Sequence, residues 1–439
     1  MTAAAPSPPV DRPEKPVRLA LIGTGSRGMT YGREGVLSGL AVVTAVAEPR
    51  ALRREQAAAE FGVAADRAVA GWPELLGRPD LDVDAVVVAT PDREHLGPAM
   101  AAIGRGLPLL LEKPMAPTEE HARQIVAAAE QAGVLVCVAH VLRYSAYTQA
   151  VTGLIGSGAI GDVVSIEHLE PVGWWHQAHS FVRGNWRRED QSSPMLLAKC
   201  CHDIDWLSAV VRRPALRVSS FGSLSHFTPA NKPAGAASRC LDCAVEPQCP
   251  YSAKRIYLDH VDEPSAQRWP LSILTEDLTR EGVTRALREG PYGRCVYECD
   301  NDVVDHQVVN IEYAGGVTAS LTMTAFTPMS FRKTRIFGTR GTLEGDGYTV
   351  SVFDFLTGRT STQQVVDPAD PEAGEGHLGA DGALTRTFLT AVSTRQPGLV
   401  LTSPAESLAT HAIVWAAERA RHLGRVETLT PTPEPLTVP

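Results

Sequence analysis

The sequence predicts an α/β protein. An N-terminal doubly wound parallel sheet is followed by an α+β domain built on a large, open, mostly antiparallel sheet. Three observations carry this. The chain has 439 residues, two to three times the usual length of one domain. Over the first 140 residues, short apolar runs alternate with helical patterns, the mark of βαβ units. Beyond them the texture changes to polar–apolar alternation with glycine turns, which suits an antiparallel sheet covered on one face.

The elements follow in order. Residues 1–16 are rich in Pro and Ala without periodicity and read as a disordered leader. The runs at 17–23, 41–48, 85–90, 107–114 and 134–141 are buried parallel strands, with helices at Arg50–Phe61, His95–Gly104 and Thr118–Ala132 between them. Thr118 is placed to cap the last, with Glu119 and Glu120 in its first turn. The first domain therefore covers 17–140 and the second 141–425. In the second, the stretches 161–175, 216–227, 305–326 and 334–356 alternate as strands, and Pro194–Val211, Leu384–Arg395 and 405–423 read as helices. A Cys-rich insertion occupies about 228–300, and 426–439 reads as a flexible Pro/Thr tail.

Composition narrows the function classes. The formal charge of -9 argues against nucleic-acid binding, which favours a basic excess on one face. No apolar run approaches the roughly 20 residues of a membrane span, and the start lacks a secretory pattern. A cytoplasmic protein is expected, its eight cysteines serving as thiols or metal ligands.

The first strand runs into Gly23-Thr24-Gly25-Ser26-Arg27-Gly28, a G-x-G-x-x-G at a strand-to-helix turn. Gly23 allows the turn, Gly25 leaves room for a pyrophosphate over the helix N-terminus, and Gly28 lets helix and strand pack closely. The second strand ends at Glu48, twenty residues beyond Gly28, where a carboxylate can accept both ribose hydroxyls of NAD. Arg27 and Arg50 lie close enough to cover a 2′-phosphate, so NADP stays open as the alternative. Thr90, Pro91 and His95 form the turn after the third strand and face the cofactor edge, His95 as a contact or as a cap. The fourth strand ends Glu112-Lys113-Pro114, where Glu112 and Lys113 are also expected to meet the cofactor.

With the glycine turn, the Thr-Pro-Asp-x-x-His turn, Glu-Lys-Pro and a later His-Asp-x-Asp helix, the chain resembles the Gfo/Idh/MocA oxidoreductases over about 17–425. The resemblance implies a Rossmann domain for a pyridine nucleotide and a sugar- or cyclitol-like substrate between it and the second sheet. It also implies a homodimer or homotetramer, and an active-site role for Lys113. The residues agree: an ammonium at the carboxyl edge of a parallel sheet can stabilise a developing alkoxide. His202 matches the family's catalytic histidine, but the Asp four residues before it is here Ala198.

Ser193 and Pro194 are a cap and first-turn pair that open a helix. Along a continuous helix Met195, Lys199, His202 and Trp206 share one stripe, and a Lys and a His in such a stripe are tolerated where it faces a cleft. Lys199 is thus a substrate candidate; His202 relays the hydroxyl proton or is a buried structural residue. The segment 170–187 gathers three Trp, two His and two Arg. Trp175, His176, His179, Arg183 and Trp186 suit either a sugar-binding loop or an interface. Arg143 and Tyr144 are candidate walls of the same cleft, and His306 a further contact.

Cys240-x2-Cys243-x5-Cys249, with Cys295 or Cys299 about 45 residues on, has the spacing of an all-thiolate structural zinc site. It would fix an insertion with little core of its own. The expected activity is NAD(P)-dependent oxidation of a secondary hydroxyl of a sugar, glycoside or cyclitol. The alternative is a redox-neutral glycoside hydrolase or lyase that oxidises transiently and eliminates.

Overall fold

The computed structural model describes residues 15–369 and 377–430; most of the expected leader and the end of the expected tail lie outside them. Six parallel strands form the first sheet: β1 Val17–Ile22, β2 Ala41–Ala47, β3 Ala68–Val69, β4 Ala85–Val88, β5 Leu109–Leu111 and β6 Val136–Val138. Their order is β3-β2-β1-β4-β5-β6, so the direction of winding reverses between β1 and β4 and opens a crevice at their carboxyl ends. Val86, Val88 and Leu109 point into one buried layer and Leu19, Val87 and Leu110 into the other. Both faces are covered by apolar side chains, which is why these strands read as continuous apolar runs. Only the two-residue β3 was not anticipated.

The second sheet has nine strands: β7 Val163–Pro171, β8 Ala215–Ser223, β9 His306–Tyr313, β10 Thr318–Thr324, β11 Lys333–Gly338, β12 Gly341–Gly345, β13 Thr349–Asp354, β14 Arg359–Gln364 and β15 Glu427–Thr428. The order is β14-β13-β12-β11-β7-β10-β9-β8-β15, antiparallel throughout except for β7 with β10. Alternation is clean in β10, where Ala319, Leu321 and Met323 are buried and the residues between them are not. Two edge strands escaped the sequence. β14 is exposed along its whole length. Glu427 and Thr428 pair with Val218 and Arg217, so the first residues of the expected tail close the sheet edge.

The predicted helix over 194–211 is broken. It runs Met195–Ala198, stops at Lys199 and Cys200, and resumes as Cys201–Val211. Lys199 therefore leaves the stripe assigned to it. Segment 170–187, expected as a loop, coils into a helical turn at Trp174–His176 that continues to Arg183. Two late helices tie the halves together. Ala380–Thr394 packs on the first Rossmann helix, Ser26–Leu37. Pro404–Leu423, opened by a Ser403/Glu406 capping box, packs on Glu119–Ala132 and on Cys201–Val211. Among the described residues no helix is long and apolar enough to cross a membrane.

Candidate active site

The site grows from the ends of β1, β2, β4 and β5. Gly23 adopts φ +88, and a Cβ there would stand 2.5 Å from the Ala89 carbonyl oxygen. A Cβ on Gly28 would lie 2.0 Å from the Gly23 oxygen, so both positions require glycine. Gly25 is different: a Cβ there would meet only the Arg53 guanidinium, at 3.9 Å. The backbone at Gly25 thus borders open space at the start of Ser26–Leu37, a helix with no side-chain cap. Ser26 is exposed there. Free first-turn N–H groups beside an open glycine fit a pyrophosphate.

Glu48 is buried at the end of β2 and accepts from the Thr24 amide at 3.0 Å and from the Arg50 amide and Nε, both at 3.1 Å. Burial alone would raise its pKa, but these bonds hold the carboxyl below its ordinary value. A fixed carboxylate at this position fits ribose hydroxyls and opposes a 2′-phosphate. Arg27 does not reach for phosphate: its guanidinium donates to Glu112 at 2.7 Å and to Asp381 at 2.6 and 2.8 Å. Glu112, a second expected cofactor contact, is committed to Arg27, Tyr31 and the Lys113 amide. Arg53, which the sequence reading passed over, takes the place beside Gly25 and bonds the Ser272 carbonyl at 2.9 Å.

His95 brackets the turn, with Nδ1 2.8 Å from the Pro114 carbonyl and Nε2 3.0 Å from that of Thr90. These two contacts tie the Lys113 turn to the Thr90–Pro91 turn. Lys113 Nζ donates to the Ala198 carbonyl at 2.7 Å. The break after Ala198 thus gives the ammonium a backbone partner where the family carries a carboxylate.

His202 is buried beside Lys113. Its ring centroid lies 5.3 Å from that of His377 and 5.9 Å from that of His140, and its Nδ1 has no partner. Burial first, then the nearby Lys113 charge, pushes its pKa well below the usual histidine value, so the ring is neutral. Lys199 lies 3.3 Å from Glu170. Arg332, buried, meets Glu170 at 2.6 Å and Asp203 at 2.9 Å, and His168 also holds Asp203, at 3.1 Å. Sequence reasoning missed Arg332, His377 and His140, because each arrives from a segment carrying no motif.

The aromatic segment divides. Trp175 and His176 are half-buried and pack on Trp269 of the insertion. Lys199 and Lys113 are among the charges acting on His176, which places it near both lysines. Trp186 is 37% exposed and points Nε1 at Asp92, 3.4 Å away. Five expected substrate contacts have their partners elsewhere in the protein. His179 is buried against the Tyr257 hydroxyl at 2.9 Å and stacks on Tyr292. Arg183 is buried among the insertion's cysteines. Arg143 makes a bidentate pair with buried Asp205, both bonds 2.7 Å. Tyr144 bonds Thr402 in the core at 3.0 Å. His306 pairs with its neighbour Asp305 at 2.8 Å.

Comparison with known proteins accords with this arrangement. Residues 17–140 match the family described as "Oxidoreductase family, NAD-binding Rossmann fold", and residues 153–427 its "C-terminal alpha/beta domain". Among curated relatives, the chain is 34% identical over 200 residues to 1,5-anhydro-D-fructose reductase of Ensifer adhaerens, covering 44% of this chain and 56% of that one. It is 37% identical over 147 residues to inositol 2-dehydrogenase of Streptomyces avermitilis, covering 33% and 41%. The chain thus spans about half the length of these relatives. An oxidoreductase from Agrobacterium radiobacter, solved with NAD+, L-tartaric acid and magnesium, shares the fold at a TM-score of 0.68 with 17% identity, covering 94% of this chain and 98% of that one. The two family matches together take in most of the 439 residues: the chain belongs to the Gfo/Idh/MocA oxidoreductase family.

Proposed function

We propose that the protein is a dehydrogenase that oxidises a secondary hydroxyl of a sugar, glycoside or cyclitol, with NAD as the preferred nucleotide. The observation that carries this reading is a set of buried polar atoms without partners. His202 Nδ1, Arg332 Nη2 and Asp203 Oδ2 belong to one linked group, in which the Lys113 and Arg332 charges act on His202 and Arg332 pairs with Asp203. Buried polar atoms ordinarily find partners, and a small molecule dense in hydroxyls supplies them. The names of the reductase and dehydrogenase relatives point to the same substrate class.

The residues divide the work. Lys113 donates to the reacting oxygen and stabilises the alkoxide as it forms, while His202 accepts the hydroxyl proton. Lys199 and Arg332, neutralised in part by Glu170 and Asp203, orient neighbouring hydroxyls. Trp175, His176 and Trp269 wall the cleft and exclude water. A nicotinamide nucleotide held by the Gly23–Gly28 turn and Glu48 would supply the hydride acceptor for the carbinol carbon. Glu48 favours NAD because its fixed charge repels a 2′-phosphate.

The test mixes purified protein with excess NAD+ and a panel of cyclitols, sugars and aryl glycosides. Near-ultraviolet absorbance and aglycone release are followed together. Accumulating NADH with one or more compounds is the expected result. Aglycone release without NADH accumulation would overturn it in favour of transient oxidation and elimination, a reaction that Ala198 in place of the family's Asp keeps in view.

A further inference from the structure

We propose that Cys240, Cys243, Cys249 and Cys295 bind one zinc ion, with Arg183 as its buried counter-charge, and that this ion fixes the insertion that roofs the cleft. Three of the thiols lie within residues 240–249 and the fourth about 45 residues further along the chain. Cys240–Asp242 and Glu246–Gln248 are single tight turns, delivering Cys240 and Cys243 from the first and Cys249 from the end of the second. Cys295 is brought back by a bridge between Arg239 and Arg294 and by its amide bond to the Ser238 carbonyl at 2.8 Å. All four line one small cavity of about 20 Å³, room for a single water-sized object. None is in a disulfide. Cys299 does not line the cavity, and its thiol donates to the Cys295 carbonyl at 3.3 Å. That resolves the choice of fourth ligand.

The second observation is the arginine on the same wall. Arg183 is 1% exposed. Its Nε donates to the Arg294 carbonyl at 2.8 Å, and its Nη2 to the Tyr251 carbonyl at 2.9 Å and to Cys240 Sγ at 3.4 Å. Its Nη1 is buried without a partner. None of these partners is a carboxylate, and a buried guanidinium without an anion is strongly disfavoured. Four neutral thiols do not correct this. A zinc ion that displaces four protons to solvent from the four thiols leaves a tetrathiolate centre of net charge −2, which does.

The thiols are open around the cavity: among the described residues no three of their sulfurs lie within 4.8 Å of one another. Metal entry therefore draws the sulfurs inward, toward the roughly 3.8 Å sulfur–sulfur spacing of a zinc tetrahedron. The described donor group whose ligand atoms do lie within 4.8 Å of one another, Glu189, Glu418 and His422, already holds a cation, since Arg421 bonds Glu418 at 2.6 Å and Glu189 at 3.3 Å. The zinc centre has a structural reach. The same insertion supplies Trp269 against Trp175 and His176, and the Ser272 carbonyl that Arg53 bonds beside the nucleotide turn.

The test is elemental analysis of the full-length protein purified without chelator, with zinc release by an organomercurial read by a metallochromic dye. One zinc per chain is expected, retained in Cys299→Ser and lost in Cys243→Ser. Arg183→Met should weaken zinc in a chelator competition by about 10- to 100-fold. In case Cys243→Ser fails to fold, cobalt is titrated into zinc-stripped wild-type protein, where tetrahedral thiolate bands are expected. Wild-type protein without zinc that also takes up neither zinc nor cobalt would overturn the proposal. So would iron in place of zinc, or a disulfide between any two of the four cysteines.

Discussion

Lys113 and Ala198 show how one substitution is absorbed by geometry. The Lys113 ammonium rests on the Ala198 carbonyl, at 2.7 Å, where the helix breaks. That position was legible from Glu-Lys-Pro at the end of an apolar strand. The break was not, because Lys199 and Cys200 carry no helix-stopping signal. Lys113→Met should lower kcat by about 100- to 10,000-fold while leaving the NAD dissociation constant unchanged; stopped-flow turnover with fluorescence titration checks both. Glu48 was equally readable, from its distance to the glycine turn. Replacing it by Ser removes the fixed charge, and kcat/KM for NADP should rise relative to NAD by about tenfold or more, in line with one charged contact at 1.4 kcal/mol. An unchanged ratio would mean that Arg53 and Arg50 set the preference.

At the scale of elements, segment 170–187 and the turn after β6 mark the limit of composition. Trp, His and Arg clusters suit sugar binding and buried packing alike. The outcome depended on partners far along the chain, such as Thr402, 258 residues from Tyr144, and Tyr257, 78 residues from His179. Arg143 is the sharpest instance. Its bidentate pair with Asp205 joins the turn after β6 to the helix Cys201–Val211 that carries His202. Removing one partner leaves a buried charge, so Arg143→Ala should lose about 3–5 kcal/mol of stability in urea unfolding. A variant that kept wild-type stability while raising only KM would restore Arg143 to the substrate wall.

At the scale of the whole molecule, the two sheets were legible because their burial patterns differ: continuous apolar runs in one, alternation in the other. The edge strands β14 and β15 were not, being short or exposed throughout. The buried histidines add a property of the folded protein as a whole. Burial pushes both His179 and His411 down to about 3, and pushes His202 and His176 well below the ordinary value near 6.5. A lowered folded-state pKa means that the unfolded chain takes up protons first as pH falls. The contribution is then full above about pH 6.5 and is lost toward pH 3, by about 1.4 kcal/mol per pH unit for each such group. The Tm should therefore fall steadily from pH 7 to pH 4.5, before most carboxylates protonate, and less steeply in His411→Asn. A flat Tm across that range would contradict it.

The central claim is hydride transfer in the cleft between the two sheets, and deuterium labelling tests it most directly. A substrate found in the NAD+ panel is prepared with deuterium at its reacting carbinol carbon, turned over by the protein, and the nicotinamide analysed by mass spectrometry. The account predicts one deuterium in each NADH formed and a slowed turnover in Lys113→Met with the label still transferred. Deuterium released to water, or retained in a product formed while NAD+ stays oxidised, would contradict it.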